Sequence, residues 1–297
     1  MKKKVIIITI IFLIIFDALF IYISKTNVPF WYKNNIETYG EIESKYVKNG
    51  EYKVKKKIIK VDSLAENYYI FYPENMAQNN SKYPMVIFVN GTNNKTSGKQ
   101  ALLTHLASWG FIVVGNDEEN SWAGIETNKM LDYMLSLNES DEIFKDKIDI
   151  NNIGIIGHSQ GGAGAINAVN DKNFNKYYKT IVLLSPVGNS YVNKTGWNYN
   201  PSLLNIPVAI FAGTSGEFEN EVVIPYDELI EMYTSIKSPK LMARKTGCNH
   251  TETLYAEDGY TTAWFMYYLK NDNYVANEFI KNKELNNNIL YQDVYID

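Results

Sequence analysis

Residues 153–166 read Ile-Gly-Ile-Ile-Gly-His-Ser-Gln-Gly-Gly-Ala-Gly-Ala-Ile, and this stretch indicates the fold. Its first residues are apolar enough for a buried strand, and its glycine- and alanine-rich end fits the start of a helix. Between them, residues 157–161 match the pattern Gly-x-Ser-x-Gly, in which a sharp turn from strand to helix exposes a serine oxygen. Glycine at both ends of the turn permits strained backbone angles and close approach of neighbouring chain. We therefore predict that Ser159 is a nucleophile.

The rest of the chain alternates between apolar runs and helical patterns, which is typical of a mostly parallel sheet with helices on both faces. Helices are predicted near residues 98–109, 124–137, 226–236 and 252–269, and one begins at residue 160. We predict an α/β fold with a central sheet of about eight strands, at residues 52–59, 67–72, 85–89, 111–114, 153–156, 180–184, 206–212 and 240–244.

The first 24 residues are expected to lie outside this fold, as a membrane anchor or a signal segment. Three lysines precede an apolar run at residues 5–23, and its nineteen residues suffice to cross a bilayer as a helix. Asp17 costs roughly 2.5–3.5 kcal/mol near the middle of such a span, but fifteen Val, Ile, Leu and Phe residues each return roughly 0.3–0.6 kcal/mol. A poor cleavage site favours an uncleaved anchor with the catalytic domain outside the cell; if the segment is cleaved, the protein is secreted. Residues 25–50 are then expected to be a linker and residues 51–297 the catalytic domain.

Charge and composition limit the partners of the chain. The net charge is −4 and the isoelectric point is about 5.6, which argues against a nucleic-acid-binding protein. One cysteine and three histidines leave little for a transition-metal site, so we expect neither a metal nor a cofactor. The expected partner from the sequence so far is the membrane, through the N-terminal segment.

A serine nucleophile needs a base, and only three histidines are available. His158 lies inside the turn beside Ser159, and His105 lies upstream on a predicted helix. In folds with this turn, the chain order is serine, then acid, then histidine. Only His250 follows the serine at a distance, in a polar loop before the last predicted helix, and we predict it to be the base.

The acid that orients the base should follow the strand predicted at residues 206–212. There, residues 213–220 read Gly-Thr-Ser-Gly-Glu-Phe-Glu-Asn. Glu217 is the first carboxylate after the strand and is the predicted acid. Glu219 is the alternative, and Glu221 and Asp227 are weaker ones.

Two backbone N–H groups should stabilise the oxyanion that forms during acyl transfer. Gln160 follows the nucleophile and would supply one of them. Thr92, in the loop after the third strand, would supply the other, with Asn93 as the second choice. Asn93, Trp197 and Tyr199 are predicted to line the substrate pocket.

Three stretches resemble a known family. Residues 83–92 read Tyr-Pro-Met-Val-Ile-Phe-Val-Asn-Gly-Thr, and residues 106–114 read Leu-Ala-Ser-Trp-Gly-Phe-Ile-Val-Val. With residues 147–162, which contain the serine turn, they resemble the dienelactone-hydrolase-like branch of the α/β-hydrolases. More narrowly, they are similar to bacterial cutinases and polyester hydrolases, with chlorophyllases as more distant relatives. The resemblance covers about residues 50–270.

The resemblance implies an α/β-hydrolase fold and a serine carboxylesterase. It also implies Thr92 and Gln160 as oxyanion donors, Ser159 as nucleophile and His250 as base. Two features depart from the family. Dienelactone hydrolases proper carry cysteine where this chain has serine, and bacterial cutinase relatives carry an aspartate where it offers only glutamates. The aromatic residues beside the site in those relatives have no clear match, because Pro186 and Val187 follow the sixth predicted strand.

The predicted activity is therefore cleavage of carboxylic esters through an acyl-enzyme, and the expected substrate is a small-molecule or lipid-like ester. Cleavage of amides or peptides on the same fold is an alternative. A non-catalytic cell-surface domain of this fold is another, although the complete set of serine, acid and histidine argues against it.

Overall fold

A nine-stranded sheet forms the centre of the computed structural model, which describes residues 27–297. The strand order is β1-β2-β4-β3-β5-β6-β7-β8-β9. Strands β3 to β8 are mutually parallel, whereas β2 is antiparallel to β1 and β4, and β9 is antiparallel to β8. The strands are β1 Val54–Lys60, β2 Asn67–Pro73, β3 Tyr83–Val89, β4 Ile112–Asn116, β5 Ile148–His158, β6 Tyr178–Leu184, β7 Val208–Gly213, β8 Lys240–Lys245 and β9 Tyr291–Ile296.

Helices cover both faces of the sheet. Successive residues of a strand point to opposite faces, and accordingly Ile87 and Ile155 join one buried cluster while Val86 and Ile156 join the other. The predicted mostly parallel sheet with helices on both faces is confirmed. The helices are α1 Glu41–Tyr46, α2 Gln100–Ser108, α3 Ile125–Ser140, α4 Gln160–Asn170, α5 Asn189–Thr195, α6 Tyr226–Ser235, α7 Thr253–Ala256, α8 Asp258–Lys270 and α9 Asn273–Val275.

The ninth strand was not predicted, because it lies in an Asn-rich, polar tail. Tyr291 is the one buried residue of β9, so the strand carries little apolar alternation for a sequence pattern to detect. Its pairing with β8 forms it: Leu241 stands opposite Ile296, and Lys245 opposite Tyr291. The tail therefore completes one edge of the sheet.

The linker predicted at residues 25–50 is also corrected. From residue 27 onward this segment packs on the domain, and Ile42 and Tyr46 of α1 are fully buried against the cluster that includes α8. The pair is spaced four residues apart, which places both side chains on one helix face. A six-residue helix with one such pair gives too short a pattern to recognise among polar neighbours.

The segment predicted to be a membrane anchor, residues 1–24, lies outside the described residues. Between residues 27 and 297, none of the helices combines the length and the apolar character needed to cross a membrane.

A buried ion pair ties the N-terminal segment to the sheet. Glu43 of α1 lies 2.7 Å from the Lys245 ammonium, at the end of β8. The same carboxylate accepts hydrogen bonds from Asn288 at 2.8 Å and from the Tyr291 hydroxyl at 3.1 Å. Lys245 in turn donates to the Ala256 carbonyl at 2.9 Å. One charge cluster thus joins α1, β8, α7 and the C-terminal tail.

Replacing Glu43 with alanine is expected to lower the free energy of unfolding by about 3–5 kcal/mol, because the ammonium of Lys245 would stay buried without its counter-ion. Urea unfolding at neutral pH measures the change. Glu41→Ala, on the exposed face of the same helix, is the matched control and should change stability by about 0.5 kcal/mol or less. Equal effects of the two substitutions would contradict the role of Glu43 as the counter-ion of Lys245.

Candidate active site

Ser159 occupies a strained turn between β5 and α4. Its φ is 57° and its ψ is −123°, a conformation uncommon for a residue with a side chain. Neighbouring glycines make room for it: a Cβ on Gly157 would lie 2.1 Å from the Gly161 carbonyl oxygen, and one on Gly161 would lie 2.3 Å from the Val89 carbonyl oxygen. The Ser159 N–H donates to the Leu184 carbonyl at 2.9 Å, which fixes the turn against β6. The serine is therefore held at the carboxyl edge of the sheet.

His250 lies in the loop between β8 and α7, at the same edge. Its ring centroid is 4.8 Å from that of His158, the residue before Ser159. The His250 carbonyl accepts hydrogen bonds from His158 Nε2 at 2.9 Å and from the Thr253 hydroxyl at 2.8 Å. Burial lowers the pKa of His158 well below its ordinary value, and the neighbouring His250 adds to the effect. His158 is thus a neutral donor that holds the His250 loop beside the serine turn.

Glu219 faces the His250 ring. Its Oε2 lies 2.7 Å from His250 Nδ1, and the residue is only 1% exposed. Its other oxygen accepts hydrogen bonds from the Gly213 N–H at 2.8 Å and from the Ser185 hydroxyl at 2.6 Å. Three hydrogen-bond donors therefore surround the Glu219 carboxylate. Because a carboxylate only accepts hydrogen bonds and this one is buried away from water, it needs such donors from the protein.

The structure pairs His250 with the alternative acid, Glu219, and not with Glu217. Glu217 is exposed, as are Glu221 and Asp227. The physical reason is the π-helix Phe218–Val223, which begins directly after Glu217 and turns Glu219 inward. The sequence does not show this helical turn. It therefore does not show which of the two glutamates, two residues apart, points toward His250.

The loop after β3 lies against the serine turn. A Cβ on Gly91 would be 3.4 Å from Ser159 Cβ and 3.2 Å from His158 Nδ1, so the backbone approaches closely. Asn93 donates its N–H to the Glu119 carbonyl at 3.0 Å, whereas the Thr92 N–H makes no hydrogen bond to any of residues 27–297. Of Thr92 and Asn93, Thr92 is therefore the one whose backbone N–H is available as a donor.

Gln160, the other predicted donor, is the first residue of α4, where the backbone N–H has no acceptor within the helix. Its side chain is fully buried and held at both ends. The Ser121 N–H donates to Oε1 at 2.8 Å, and Nε2 donates to Asn120 Oδ1 at 3.0 Å. The side chain therefore fixes the start of the helix next to Ser159.

A cavity of about 530 Å³ opens beside His250 and Glu219. Phe218 stands on its wall and meets the His250 ring edge-to-face, with the centroids 5.1 Å apart. Lys99 also lines the cavity, and burial lowers its pKa to about 8. Residues 27–29 form a further part of the wall.

The residues predicted for the substrate pocket do not line this cavity. Trp197 packs on Tyr191, with the ring centroids 5.5 Å apart, and the Tyr199 hydroxyl donates to the Val187 carbonyl. Asn93 lines a separate cavity of about 200 Å³. Trp197 and Tyr199 are packing residues of the loop after β6, which a sequence pattern does not distinguish from pocket residues.

Two residues that matter to the geometry were not predicted. Ser185, at the end of β6, is fully buried with φ of 41° and donates to Glu219. Thr253 starts α7 and holds the His250 carbonyl. The sequence carries a weak signal for Ser185, since it follows a buried strand at the edge where the parallel strands end.

The family comparison covers Ser159, Glu219 and His250. A family model described as PETase: PET hydrolase-like matches residues 41–290. The chain belongs to the PET hydrolase-like family. A comparison with curated proteins found no match. Membership confirms the α/β-hydrolase fold and makes this protein a hydrolase of ester bonds. The match begins at α1, in agreement with the correction to the predicted linker.

A further buried acid, Glu118, lies in the loop after β4 of this PET hydrolase-like protein. Burial raises the pKa of Glu118 to about 7, and repulsion from Glu126 adds to it. Glu118 Oε2 has no hydrogen-bond partner in the described part of the chain. The Asn90 side chain donates to the Glu118 carbonyl at 3.2 Å, which connects this loop to the end of β3.

Within residues 27–297, no three His, Cys, Asp or Glu side chains are grouped to hold a metal ion.

Glu118→Gln is expected to remove a pH dependence of stability. The raised pKa means that the carboxyl favours folding below about pH 4.5, and that this contribution is lost as pH rises through about 7. The substitution should be neutral near pH 4.5. At pH 8 it should stabilise the fold by about 2 kcal/mol, because solvent screening reduces the roughly 3 kcal/mol that the pKa difference alone would give. Thermal unfolding across this pH range provides the measurement. Glu119→Gln, at the exposed neighbour, should show no such trend; a constant difference between Glu118→Gln and the parent would refute the assignment.

Proposed function

We propose that this chain is a serine carboxylic-ester hydrolase that works through an acyl-enzyme on Ser159. One observation carries the proposal: Glu219 lies 2.7 Å from His250 Nδ1, at the sheet edge where Ser159 occupies its strained turn. The contact leaves Nε2 as the ring nitrogen available to a nucleophile. Family membership supports the ester as the bond that is cleaved.

In the first half of the reaction, His250 Nε2 takes the proton of the Ser159 hydroxyl as Oγ attacks the ester carbonyl carbon. The N–H groups of Thr92 and Gln160 stabilise the oxyanion. The carbon–oxygen bond to the alcohol then breaks, and His250 gives the proton to the departing oxygen. Ser159 is left as an acyl ester.

In the second half, water loses a proton to His250 and attacks the acyl carbonyl carbon. The bond to Ser159 Oγ breaks, and the proton returns from His250 to the serine. Glu219 keeps the Nδ1 proton of His250 directed toward itself and stabilises the imidazolium in both halves without taking the proton.

The full chain, purified in detergent, tests this proposal with two measurements. A series of p-nitrophenyl esters of increasing acyl length should be hydrolysed, and matched peptide p-nitroanilides should be hydrolysed far more slowly. A fluorophosphonate probe should label one site per chain, and peptide mapping should identify it as Ser159.

Absence of ester turnover, or labelling at another residue, would overturn the proposal. Faster cleavage of the anilides than of the esters would instead indicate amide hydrolysis on the same site. A chain that neither reacts with the probe nor turns over either substrate would indicate a non-catalytic domain.

A further inference from the structure

We propose that the active site of this protein faces the bilayer and hydrolyses acyl esters of membrane lipids. The inference rests on the proposed function and names its substrate class. It combines the course of the first described residues with the sequence that precedes them.

The N-terminal segment enters the domain along the cavity beside His250 and Glu219. Residues 27–29 form part of the wall of the His250 cavity, which Phe218 also lines. Asn27 also borders the smaller cavity beside Asn93, so it lines both the cavity of the proposed base and a cavity of the proposed oxyanion loop. The Val28 N–H donates to the Gly98 carbonyl at 2.9 Å, and the Val28 side chain is buried. The segment is therefore fixed beside the His250 cavity.

The distance from this wall to the predicted membrane span is short. The apolar run ends at residue 23, so four residue steps separate it from Asn27. An extended chain covers at most about 3.3–3.6 Å per residue, which gives roughly 13–14 Å at full extension. The headgroup region accounts for only about 5–7 Å on each side of the hydrocarbon. With residues 5–23 in the bilayer, the cavity is thus held at the membrane surface.

Exposed aromatic side chains follow the wall directly. Phe30 is 69% exposed and Trp31 is 66% exposed, although both are large apolar residues. Phe218, on the cavity wall, is also exposed. Aromatic residues are enriched where proteins meet the membrane–water interface, and apolar side chains exposed together mark interaction surfaces. This set of aromatics fits a face that rests on lipid.

The position suits one kind of substrate. The acyl ester groups of membrane glycerolipids lie in the interfacial region, between the polar headgroups and the hydrocarbon. An enzyme held with its cavity at that depth meets these groups by lateral diffusion in the membrane. The products are a fatty acid and the deacylated lipid, by the same acyl-enzyme steps.

The first test compares two substrates with the full chain reconstituted in phosphatidylcholine vesicles that contain dioleoylglycerol. Fatty-acid release reports on the membrane ester, and added p-nitrophenyl butyrate reports on the site itself. About twenty Gly and Ser residues inserted between Lys25 and Thr26 would add a flexible tether of roughly 25 Å. The insertion should lower the lipid rate about tenfold and leave the butyrate rate within about twofold. The same insertion between Ser81 and Lys82, in an exposed loop before β3, should change neither rate.

The outcomes separate the inference from the proposed function. An unchanged lipid rate, or equal loss of both rates, would overturn the inference, as would a parent chain that hydrolyses butyrate but not dioleoylglycerol. Failure of the parent chain to hydrolyse butyrate would instead overturn the proposed function.

A second test does not depend on activity. Lipids with brominated acyl chains quench tryptophan fluorescence at the membrane, and Trp31 is expected to supply a quenchable component. Trp31→Phe should remove that component and preserve hydrolysis of p-nitrophenyl butyrate. Identical fractional quenching of the parent and the variant, or failure of the chain to associate with vesicles, would overturn the inference.

Discussion

Ser159→Ala is expected to lower kcat/KM for p-nitrophenyl butyrate by about 10⁴- to 10⁶-fold, because the reaction loses the atom that carries the acyl group. The residual rate would come from substrate binding and the oxyanion donors, which the substitution leaves intact. Alanine has the same backbone constraint as serine at φ of 57°, so we expect the variant to fold.

The matched control for this experiment is Ser136→Ala. Ser136 is exposed on α3, and its hydroxyl contacts only the Tyr133 carbonyl of its own helix. Thermal unfolding of the two variants and the parent would show whether lost activity reflects lost structure. Ester turnover by Ser159→Ala within tenfold of the parent would mean that another group is the nucleophile.

The second large effect is expected at the acid. Glu219→Gln should lower kcat by about 10³- to 10⁴-fold with little change in KM, because the site would lose stabilisation that arises as the imidazolium forms. A glutamine amide that donates to His250 Nδ1 would also place the ring proton on Nε2. In that tautomer Nε2 cannot accept the proton of Ser159.

Glu217→Gln is the control, two residues away and exposed, and should keep kcat within about twofold. Initial rates across a range of ester concentrations separate kcat from KM for both variants. A larger loss of kcat in Glu217→Gln than in Glu219→Gln would mean that Glu217 is the acid, as the sequence predicts. The contact between Glu219 and His250 would then not be the functional one.

The part of the site that the sequence predicts best depends on local chemistry. The turn at Ser159 needs glycines at fixed positions, and these stand in the printed sequence. His250 follows from chain order, since the alternatives lie upstream or inside the turn. The Ser159 prediction uses a few neighbouring residues, and the His250 prediction uses the order of elements along the chain. Neither requires knowledge of how the side chains pack.

The parts that the sequence did not predict depend on contacts between distant segments. Glu219 turns inward through a π-helix, and β9 exists because β8 offers it an edge. Helix α1 is too short to show a periodic pattern, although Ile42 and Tyr46 are fully buried. The cavity beside His250 depends on where residues 27–29 cross the domain, and no local pattern encodes that path.

The course of residues 27–29 bears on how activity screens of this family should be designed. The family match begins at residue 41, and a protein trimmed to that boundary would lack Asn27 and its neighbours. Such a protein would lack the wall that Asn27, Val28 and Pro29 form beside His250. We therefore expect its ester preferences to differ from those of the longer chain, so activity screens should use proteins that include the segment before residue 41.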